Sequence, residues 1–311
     1  MQIVSGEEKF RLKAPAAVVI GKFDGLHLGH KKLLDRILEE KEKGLLATVF
    51  TFDPSPTAFF SRQEEKGLTT KEEKRRYFRQ MGVDVLVEFP LNQRTAAMPP
   101  ERFLTDILQD GLRAAFVAAG DDLSFGDRGR GDCKMLLDFQ QKCGYCARIM
   151  EKVYDQGEPI SSTRIRRAVQ DGRMEEAQRM LGAPYAIMGK VNHGRQLGRR
   201  LGFPTVNLAP PKDKLLPPFG VYLSEVECRG KIFAGITNIG VRPTVEKEAQ
   251  PLPGVETYLY NFSGDMYDSF LTVRLLSFCR PEQKFDDMQA LREQLKRDIR
   301  AGQAYFDGKI L

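Results

Sequence analysis

Hydrophobic and polar positions in the first 181 residues follow the pattern of strands that alternate with helices. Short apolar runs with the length and residue types of buried strands lie at 16–20, 45–52, 83–89 and 114–119. Between these runs, apolar residues recur at helical spacing at 31–38, 71–81 and 100–108. The alternation predicts an α/β domain with a mainly parallel, doubly wound sheet.

A different pattern begins after Tyr185, where glycine, proline and asparagine separate short β-rich runs. These runs lie at 186–191, 220–227, 231–239, 255–262 and 270–278. They predict a small antiparallel β-barrel, which is followed by an amphipathic helix at 287–299. Because Gly182 and Pro184 are typical of a break in regular structure, we expect one domain at 1–183 and a second at 184–311.

Composition and charge fit a soluble protein that binds small anionic molecules. Hydrophobic residues make up 41% of the chain and charged residues 29%. The net charge of +6, from 48 Lys+Arg minus 42 Asp+Glu, is modest and does not require nucleic acid, for which we would expect a strong basic stripe. The longest apolar runs are too short to cross a bilayer, and the first residues do not resemble a signal peptide. We therefore expect a cytoplasmic protein with no membrane and no nucleic-acid partner.

The cysteines agree with a reducing compartment. The chain has five of them, and an odd number fits a reduced cytosolic protein. Cys143 and Cys146 form one Cys-x-x-Cys pair. Because no second pair accompanies it, we do not expect a zinc or redox site there.

The stretch Gly21–His30 lies where a predicted strand passes into a predicted helix. It reads Gly-Lys-Phe-Asp-Gly-Leu-His-Leu-Gly-His. In a parallel sheet this point is the carboxyl edge, at which ligands bind. The free N–H groups and positive dipole of a helix start suit phosphate, and the glycines allow close approach of the backbone. The stretch therefore predicts a phosphate site.

Two of the three histidines of the chain, His27 and His30, belong to this stretch. Histidine donates hydrogen bonds to charged oxygen, and two histidines three residues apart can face one side of a helical turn. One packed and one exposed histidine is the alternative for an isolated pair. A metal site is not favoured, because no third histidine, Glu-x-x-His motif or paired Cys-x-x-Cys set accompanies the pair.

Two further polar stretches lie at the ends of predicted elements. Gly120–Gly126 follows the strand at 114–119 and is either a plain turn or part of a site. Ile160–Arg167 combines arginines with a helix start that Ser162 or Thr163 can cap, which favours a polyphosphate site. A capped basic helix without a ligand explains the same residues.

The β module opens with a stretch rich in glycine and arginine. Gly194, Gly198 and Gly202 recur every four residues, with Arg195, Arg199 and Arg200 between them. A helix tolerates three glycines poorly, whereas a loop whose backbone N–H groups hold phosphate uses them. The Walker pattern is absent, and a flexible basic loop is the alternative.

Together these motifs closely resemble the bacterial bifunctional riboflavin kinase/FAD synthetase family over essentially the whole chain. Gly21–His30 is similar to the nucleotidyltransferase signature of that family, and Pro204–Asn207 to its Pro-Thr-Ala-Asn kinase signature. The other matching segments are Thr51–Pro56, Gly120–Gly126, Ile160–Arg166, Gly220–Tyr222, Asn238–Thr244, Glu256 and Arg280–Phe285. The resemblance implies a Rossmann-like nucleotidyltransferase domain followed by a riboflavin kinase barrel. It also implies two reactions: ATP phosphorylates riboflavin to FMN, and ATP then adenylylates FMN to FAD with release of pyrophosphate.

For adenylyl transfer, the resemblance implies that His27 and His30 contact the triphosphate and the charge that develops on it. Because the attacking phosphate of FMN is already anionic, we expect catalysis by positioning and charge stabilisation. Asp122 is expected at the nucleoside. The residues expected to bind ATP or the departing pyrophosphate are Gly21, Phe23, Asp24, Gly25, Gly29, Ser161, Ser162, Thr163, Arg164 and Arg166.

For the kinase, the resemblance makes Glu256 the base that accepts the proton of the ribityl hydroxyl. Strand alternation places Glu256 on one face and Val255 on the other. Thr205 and Asn207 match the ligands of Mg²⁺, the expected cofactor beside the substrate ATP. The phosphate-binding residues expected in this module are Gly194, Arg195, Gly198, Arg199, Gly202 and Pro204.

The chain departs from the family pattern at several positions. Ser55 stands where the family commonly has histidine, and loss of that donor is expected to slow adenylyl transfer. Leu123 replaces Phe, Val206 replaces Ala, and Asn261 and Asp268 replace Asp and Gly. Two alternatives stay open: a riboflavin kinase with a degenerate first module, and a non-catalytic flavin-binding regulator. The sequence does not indicate an oligomeric state.

Overall fold

The computed structural model describes residues 1–61, 66–192, 202–241, 253–264, 266 and 269–308. The chain forms two compact units, Met1–Ser162 and Thr163–Leu311. No helix within the described ranges has the length and apolar character needed to cross a membrane.

A parallel sheet forms the centre of the first unit. Its strands are β1 (Gln2–Ser5), β2 (Ala16–Ile20), β3 (Leu46–Asp53), β4 (Val85–Pro90), β5 (Ala114–Gly120) and β6 (Cys146–Met150). Over the described residues the order is β1-β4-β3-β2-β5-β6, with every neighbouring pair parallel. β1 and β6 were not predicted from the sequence, because each is an edge strand and lacks a continuous buried apolar run.

Helices cover both faces of this sheet, as the doubly wound prediction requires. They are α1 (Leu28–Lys41), α2 (Pro56–Ser61), α3 (Lys71–Gln80), α4 (Gln93–Ala96), α5 (Pro100–Arg102, continued by the π helix Phe103–Gly111), α6 (Cys133–Asp138) and α7 (Gln140–Cys143). One core contains Leu34 of α1 and Phe78 of α3, and a second contains Leu104 and Leu108 of the π helix. Burial of these side chains stabilises each face by about 1.5–3 kcal/mol per residue.

The second unit contains a closed antiparallel barrel, as predicted. Its strands are β9 (Tyr185–Asn192), β10 (Thr205–Leu208), β11 (Gly220–Cys228), β12 (Lys231–Val241), β13 (Pro253–Leu259) and β14 (Phe270–Pro281). Within the described part of the chain their order around the barrel is β10-β13-β12-β11-β14-β9. The preceding β7 (Tyr154–Asp155) and β8 (Glu158–Pro159) form a small separate hairpin in the first unit. β10 was missed as a strand because it has only four residues, two of them polar.

The inside and the outside of the barrel differ in chemistry. Inside, the Thr237 hydroxyl donates to Ser224 Oγ over 2.7 Å and lies 2.8 Å from Thr257 Oγ1, and all three side chains are buried. Outside, α10 (Met288–Asp307) packs against an apolar cluster that includes Ile236 and Phe306. The outer face is therefore closed by a helix over part of its length.

The two compact units divide at a different place from the expected domain boundary. α8 (Ser162–Gln170) and α9 (Met174–Leu181) precede the expected boundary at 183/184, but α9 packs against β9 and β14 of the barrel. Gly182, in the left-handed conformation at φ 66°, ends α9 and so does mark a break in regular structure. Whether a fragment beginning at residue 184 folds on its own stays a prediction.

We expect a fragment of residues 163–311 to unfold at a higher temperature than one of residues 184–311. The shorter fragment lacks α9, whose Met174, Ala177, Met180 and Leu181 are buried. Each large apolar side chain of this set contributes about 1.5–3 kcal/mol when buried. Thermal unfolding followed by circular dichroism measures the difference.

A matched variant separates packing from mere chain length. Met180→Ala in the longer fragment should cost about 2–5 kcal/mol, as other large-to-small changes in cores do. Equal unfolding temperatures for both fragments would show that α9 contributes nothing to the barrel.

Candidate active sites

His27 and His30 are held at the start of α1, directly beyond the carboxyl end of β2. His27 is the N-cap residue, and its Nδ1 accepts a hydrogen bond from the backbone N–H of His30 over 3.3 Å. The two rings stack with centroids 3.7 Å apart. Because Nδ1 of His27 is an acceptor, its neutral ring carries the proton on Nε2 and can donate from there.

Burial keeps both histidines neutral. It lowers the pKa of His27 to about 4, and the negative charge of Asp122 opposes this effect only in part. Burial also holds the pKa of His30 well below its usual range, and electrostatic repulsion from Lys74 and from any proton on His27 acts in the same direction. At neutral pH the pair therefore offers uncharged N–H donors. Within the described ranges, His30 Nδ1 is buried without a hydrogen-bond partner.

The loop before His27 adopts a demanding backbone conformation. Phe23, Gly25 and Leu26 all have positive φ, at 50°, 88° and 47°. For bulky residues such values are rare and need support from the surrounding structure. Phe23 has that support, since its ring is fully buried between His30, at 5.1 Å, and Phe78, at 5.5 Å. The Phe23 side chain thus supports His30 from beneath, and only its backbone is left for the expected contact with phosphate.

Asp24 fixes this loop to two neighbouring segments. Its Oδ1 accepts the N–H of Thr69 over 3.2 Å, and its carbonyl accepts the hydroxyl of Ser162 over 2.7 Å. Thr69 Oγ1 in turn accepts the N–H of Gly25 over 3.1 Å. The prediction that Ser162 or Thr163 caps α8 was wrong, because the two are the first and second residues inside the helix. The Ser162 hydroxyl donates to the Asp24 carbonyl.

Asp122 lies on the loop after β5, at the carboxyl edge where the sequence predicted it. Its side chain is largely exposed, and Oδ2 is 3.6 Å from Lys152 Nζ. A Cβ on Gly120 would lie 3.1 Å from Asp122 Oδ1, so the glycine leaves room for this carboxylate. Its influence on the pKa of His27 shows that both residues share one electrostatic environment.

A charged cluster at the ends of β3 and β4 was missed by sequence reasoning. Arg75 holds Glu88 through two hydrogen bonds of 2.8 and 2.5 Å, and Lys71 pairs with both Asp53 and Glu88. Burial lowers the pKa of Lys74, although Asp24, Glu88 and Asp53 oppose the shift. The only signal in the sequence was the pattern Thr70-x-x-Glu73, a capping box that marks the start of α3. Lys71, Lys74 and Arg75 lie in the first turns of that helix.

Ser55, the main departure from the family pattern, has a structural role. Its hydroxyl oxygen accepts the N–H of Ala58 over 3.2 Å, directly before α2. Serine is among the best residues for satisfying a free N–H at a helix start. With serine at residue 55 in place of the histidine of the family pattern, this position caps a helix and lacks the imidazole donor.

The remaining candidates of the first module lie on α8. Ser161 precedes its first residue, and Thr163, Arg164 and Arg166 lie in its first two turns. The last three belong to the second compact unit. Their expected contact with pyrophosphate stays a prediction.

The kinase candidates form one row across three strands of the barrel. Asn207 on β10 pairs directly with Glu256 on β13, and Glu256 pairs with Asn238 on β12. Directly opposite residues have Cβ atoms about 4.5–5.5 Å apart and point to the same face. Glu256 is half-buried and faces away from the buried Val255 and Thr257, as the alternation predicted. Asn238 was part of a matching segment but had no role assigned to it.

Asn207 and Thr205 present two oxygens close to Glu256. Asn207 Nδ2 is 3.4 Å from Thr205 Oγ1, so the side chains lie against each other. Asn207 is only 6% exposed, and its Oδ1 is buried without a hydrogen-bond partner among the residues that the structure describes. An orphaned carbonyl oxygen beside a hydroxyl suits a hard cation such as Mg²⁺.

Part of the predicted phosphate loop lies outside the described residues. Gly194, Arg195, Gly198 and Arg199 fall in the range 193–201. Gly202 and Pro204 are described and exposed, and Gly202 has a positive φ of 87°. Elsewhere in the described ranges, no group of three or more histidine, cysteine, aspartate or glutamate side chains is arranged to hold a metal ion.

Comparison with known families assigns both halves of the chain. Residues 9–164 match the FAD synthetase family model, and residues 181–306 match the riboflavin kinase family model.

Individual relatives extend over nearly the whole chain. The chain is 34% identical over 297 residues to the bifunctional riboflavin kinase/FMN adenylyltransferase of Bacillus subtilis, covering 94% of the chain and 93% of the relative. It is 36% identical over 292 residues to the enzyme of that name from Escherichia coli K12, covering 93% and 92%. A crystal structure from Streptococcus pneumoniae, titled a macrolide-efflux protein, superposes with a TM-score of 0.83 at 28% identity, over 97% of this chain and 98% of that one. The chain belongs to the bifunctional riboflavin kinase/FMN adenylyltransferase family.

Proposed function

We propose that the chain makes FMN from riboflavin and FAD from FMN, with the barrel acting as kinase and the first module as adenylyltransferase. The observation that supports this most strongly is the direct pairing of Asn207 with Glu256, which sets the proposed base beside a buried amide oxygen that has no partner in the described part of the chain. We place both reactions in the cytoplasm, in keeping with five cysteines that form no disulfide. ATP, riboflavin, FMN and FAD are the small-molecule partners.

In the adenylyl transfer, an oxygen of the FMN phosphate attacks the α-phosphorus of ATP. The bond from that phosphorus to the bridging oxygen breaks, and pyrophosphate leaves. His27 and His30 donate hydrogen bonds to the oxygens on which negative charge grows, and as neutral donors in a buried site they need little reorganisation. Lys74 adds a positive charge near His30. Arg164 and Arg166 are proposed to bind the departing pyrophosphate.

In the kinase reaction, the terminal ribityl hydroxyl of riboflavin attacks the γ-phosphorus of ATP while Glu256 accepts its proton. The bond from that phosphorus to the β–γ bridging oxygen breaks, and ADP leaves. Asn207 Oδ1 and Thr205 Oγ1 would hold the Mg²⁺ that accompanies ATP. The phosphates of ATP would be bound by Gly194, Gly198, Gly202 and the arginines among them. When bound, the cation neutralises charge on the transferred phosphoryl group. The chain itself orients the hydroxyl against Glu256, whose position the barrel register fixes.

Glu256→Gln tests the proposed base. Glutamine keeps the shape of the side chain and removes its basicity, so the initial rate of FMN formation should fall by ~10²–10⁴, the usual value of general-base help. FAD formation from supplied FMN should persist in the same preparation. A variant that retains a near-normal kinase rate between pH 6 and 9 would show that the hydroxyl loses its proton by another route.

Replacement of either histidine tests the first module. His27→Ala and His30→Ala should each lower FAD formation by roughly 10²–10³-fold, the effect of deleting one charge-stabilising donor. Kinase activity of the same protein is the internal control and should be almost unchanged. Equal loss of both activities would mean a shared site or general misfolding.

His27→Asn provides a matched control for the cap. Asparagine is a good N-cap residue and keeps an oxygen that can accept the N–H of His30. We expect this variant to recover the thermal stability lost in His27→Ala without recovering the full adenylyl transfer rate.

The protonation of His27 should show its burial directly. Its folded pKa of about 4 lies below the ordinary 6.5, so the unfolded chain binds more protons between these values and the contribution of His27 to stability falls as the pH drops through that window. NMR of labelled histidine, assigned with His27→Asn, should find His27 neutral at pH 5.5. A titration midpoint near 6.5 in the folded protein would contradict the buried, neutral donor.

A further inference from the structure

A carboxylate outside the proposed machinery lies over the floor of the kinase face. A Cβ placed on Gly240 would overlap the side chain of Glu282, with Cδ at 2.5 Å and Oε2 at 3.0 Å. Glu282 therefore fills the space above Gly240, which is buried although it has no side chain. Only glycine permits this arrangement at residue 240.

The barrel register shows which face this is. Gly240 on β12 pairs with Gly254 on β13, and two residues earlier Asn238 pairs with Glu256. Residues two apart on a strand point to the same face and lie about 7 Å apart. The Glu282 carboxylate thus lies on the same face as Glu256, one row of side chains further along.

Glu282 is held in place by its backbone. It directly follows β14, and its N–H donates to the carbonyl of Phe219 over 3.3 Å. The neighbouring Arg280 is fixed by two hydrogen bonds to Asp298 of α10, at 3.0 and 2.6 Å. Among the described residues, the carboxylate of Glu282 itself forms no hydrogen bond or ion pair, and its residue is exposed to solvent. A carboxylate with free lone pairs, on an anchored stretch of backbone, is available to a ligand.

We propose that Glu282 binds the internal hydroxyl groups of the ribityl chain of riboflavin, and so determines the preference of the kinase for a polyhydroxylated substrate. This rests on the proposed kinase function, because Glu256 marks the position of the terminal hydroxyl. A ribityl chain that extends from Glu256 along the strand direction brings its internal hydroxyls towards the row of Gly240 and Gly254. Carboxylate oxygens accept hydrogen bonds from such hydroxyls and repel the phosphates of ATP, which leaves the sugar chain as the ligand.

The absence of a side chain at Gly240 is what brings the carboxylate to this face. Gly240 pairs directly with Gly254 on β13, one row of side chains from the pair Asn238 and Glu256. The Glu282 carboxylate takes the space that a side chain at residue 240 would occupy.

The test compares riboflavin with a flavin that carries a 5-hydroxypentyl chain, which lacks the internal hydroxyls. In the wild type, riboflavin should have a kcat/KM higher by ~10–100-fold, the value of hydrogen bonds to a charged group. Glu282→Gln should raise the KM for riboflavin by about 10-fold or more, leave the KM for ATP unchanged, and reduce the preference over the analogue. Gly240→Ala, whose Cβ displaces the carboxylate, should give the same pattern.

Two controls keep the outcomes distinct. Glu225 lies on the same face of β11, four residues from Val221, the residue opposite Asn238. Glu225→Gln should therefore leave the KM for riboflavin and the KM for ATP unchanged. FAD formation from FMN should be normal in every variant. If Glu282→Gln keeps the wild-type KM and the wild-type preference, or lowers kcat alone, the inference is overturned. The role of Glu256 as the base is tested separately, by the kcat of Glu256→Gln. Its failure would not be confused with a failure of Glu282 to bind the ribityl chain, which is measured by KM and by the preference for riboflavin over the analogue.

Discussion

The pairing of β13 with its two neighbours is the constraint on which the proposed chemistry of the barrel depends. Asn207, Glu256 and Asn238 share a face only because each is directly opposite the next. A slip of one residue would turn Glu256 into the barrel and bring Thr257 out. The buried hydroxyl contacts among Ser224, Thr237 and Thr257 oppose such a slip, since it would leave polar groups without partners in the core.

In the first module, burial rather than strand pairing prepares the proposed site. Its histidines are buried at a helix start, and a backbone N–H fixes the tautomer of His27. Phe23 supplies the packing that supports His30, and Asp24 ties the loop to Thr69. Donors that are fixed and neutral before the substrate arrives stabilise developing charge without paying for reorganisation in the transition state.

The sequence predicted the layout of the chain better than the contacts within each site. Periodicity located the central strands and most of the helices, and strand alternation gave the face of Glu256 correctly. It missed β1, β6 and β10, which are short or lie at an edge and so lack an apolar run. The sequence did not predict which side chains contact each other. Ser162 was expected to cap a helix, but its hydroxyl donates to Asp24. Lys74 acts on His30 because α3 packs at the same edge of the sheet. Such long-range contacts depend on tertiary packing, which local patterns do not encode.

Together, the two sites make this chain a complete route from riboflavin to FAD, and Ser55 is the one feature that favours a kinase alone. A time course of the full chain with riboflavin, ATP and Mg²⁺, with flavins separated by chromatography, tests this most directly. FMN should appear first and then be converted to FAD. Accumulation of FMN with no FAD, even after long incubation and with FMN supplied, would contradict it.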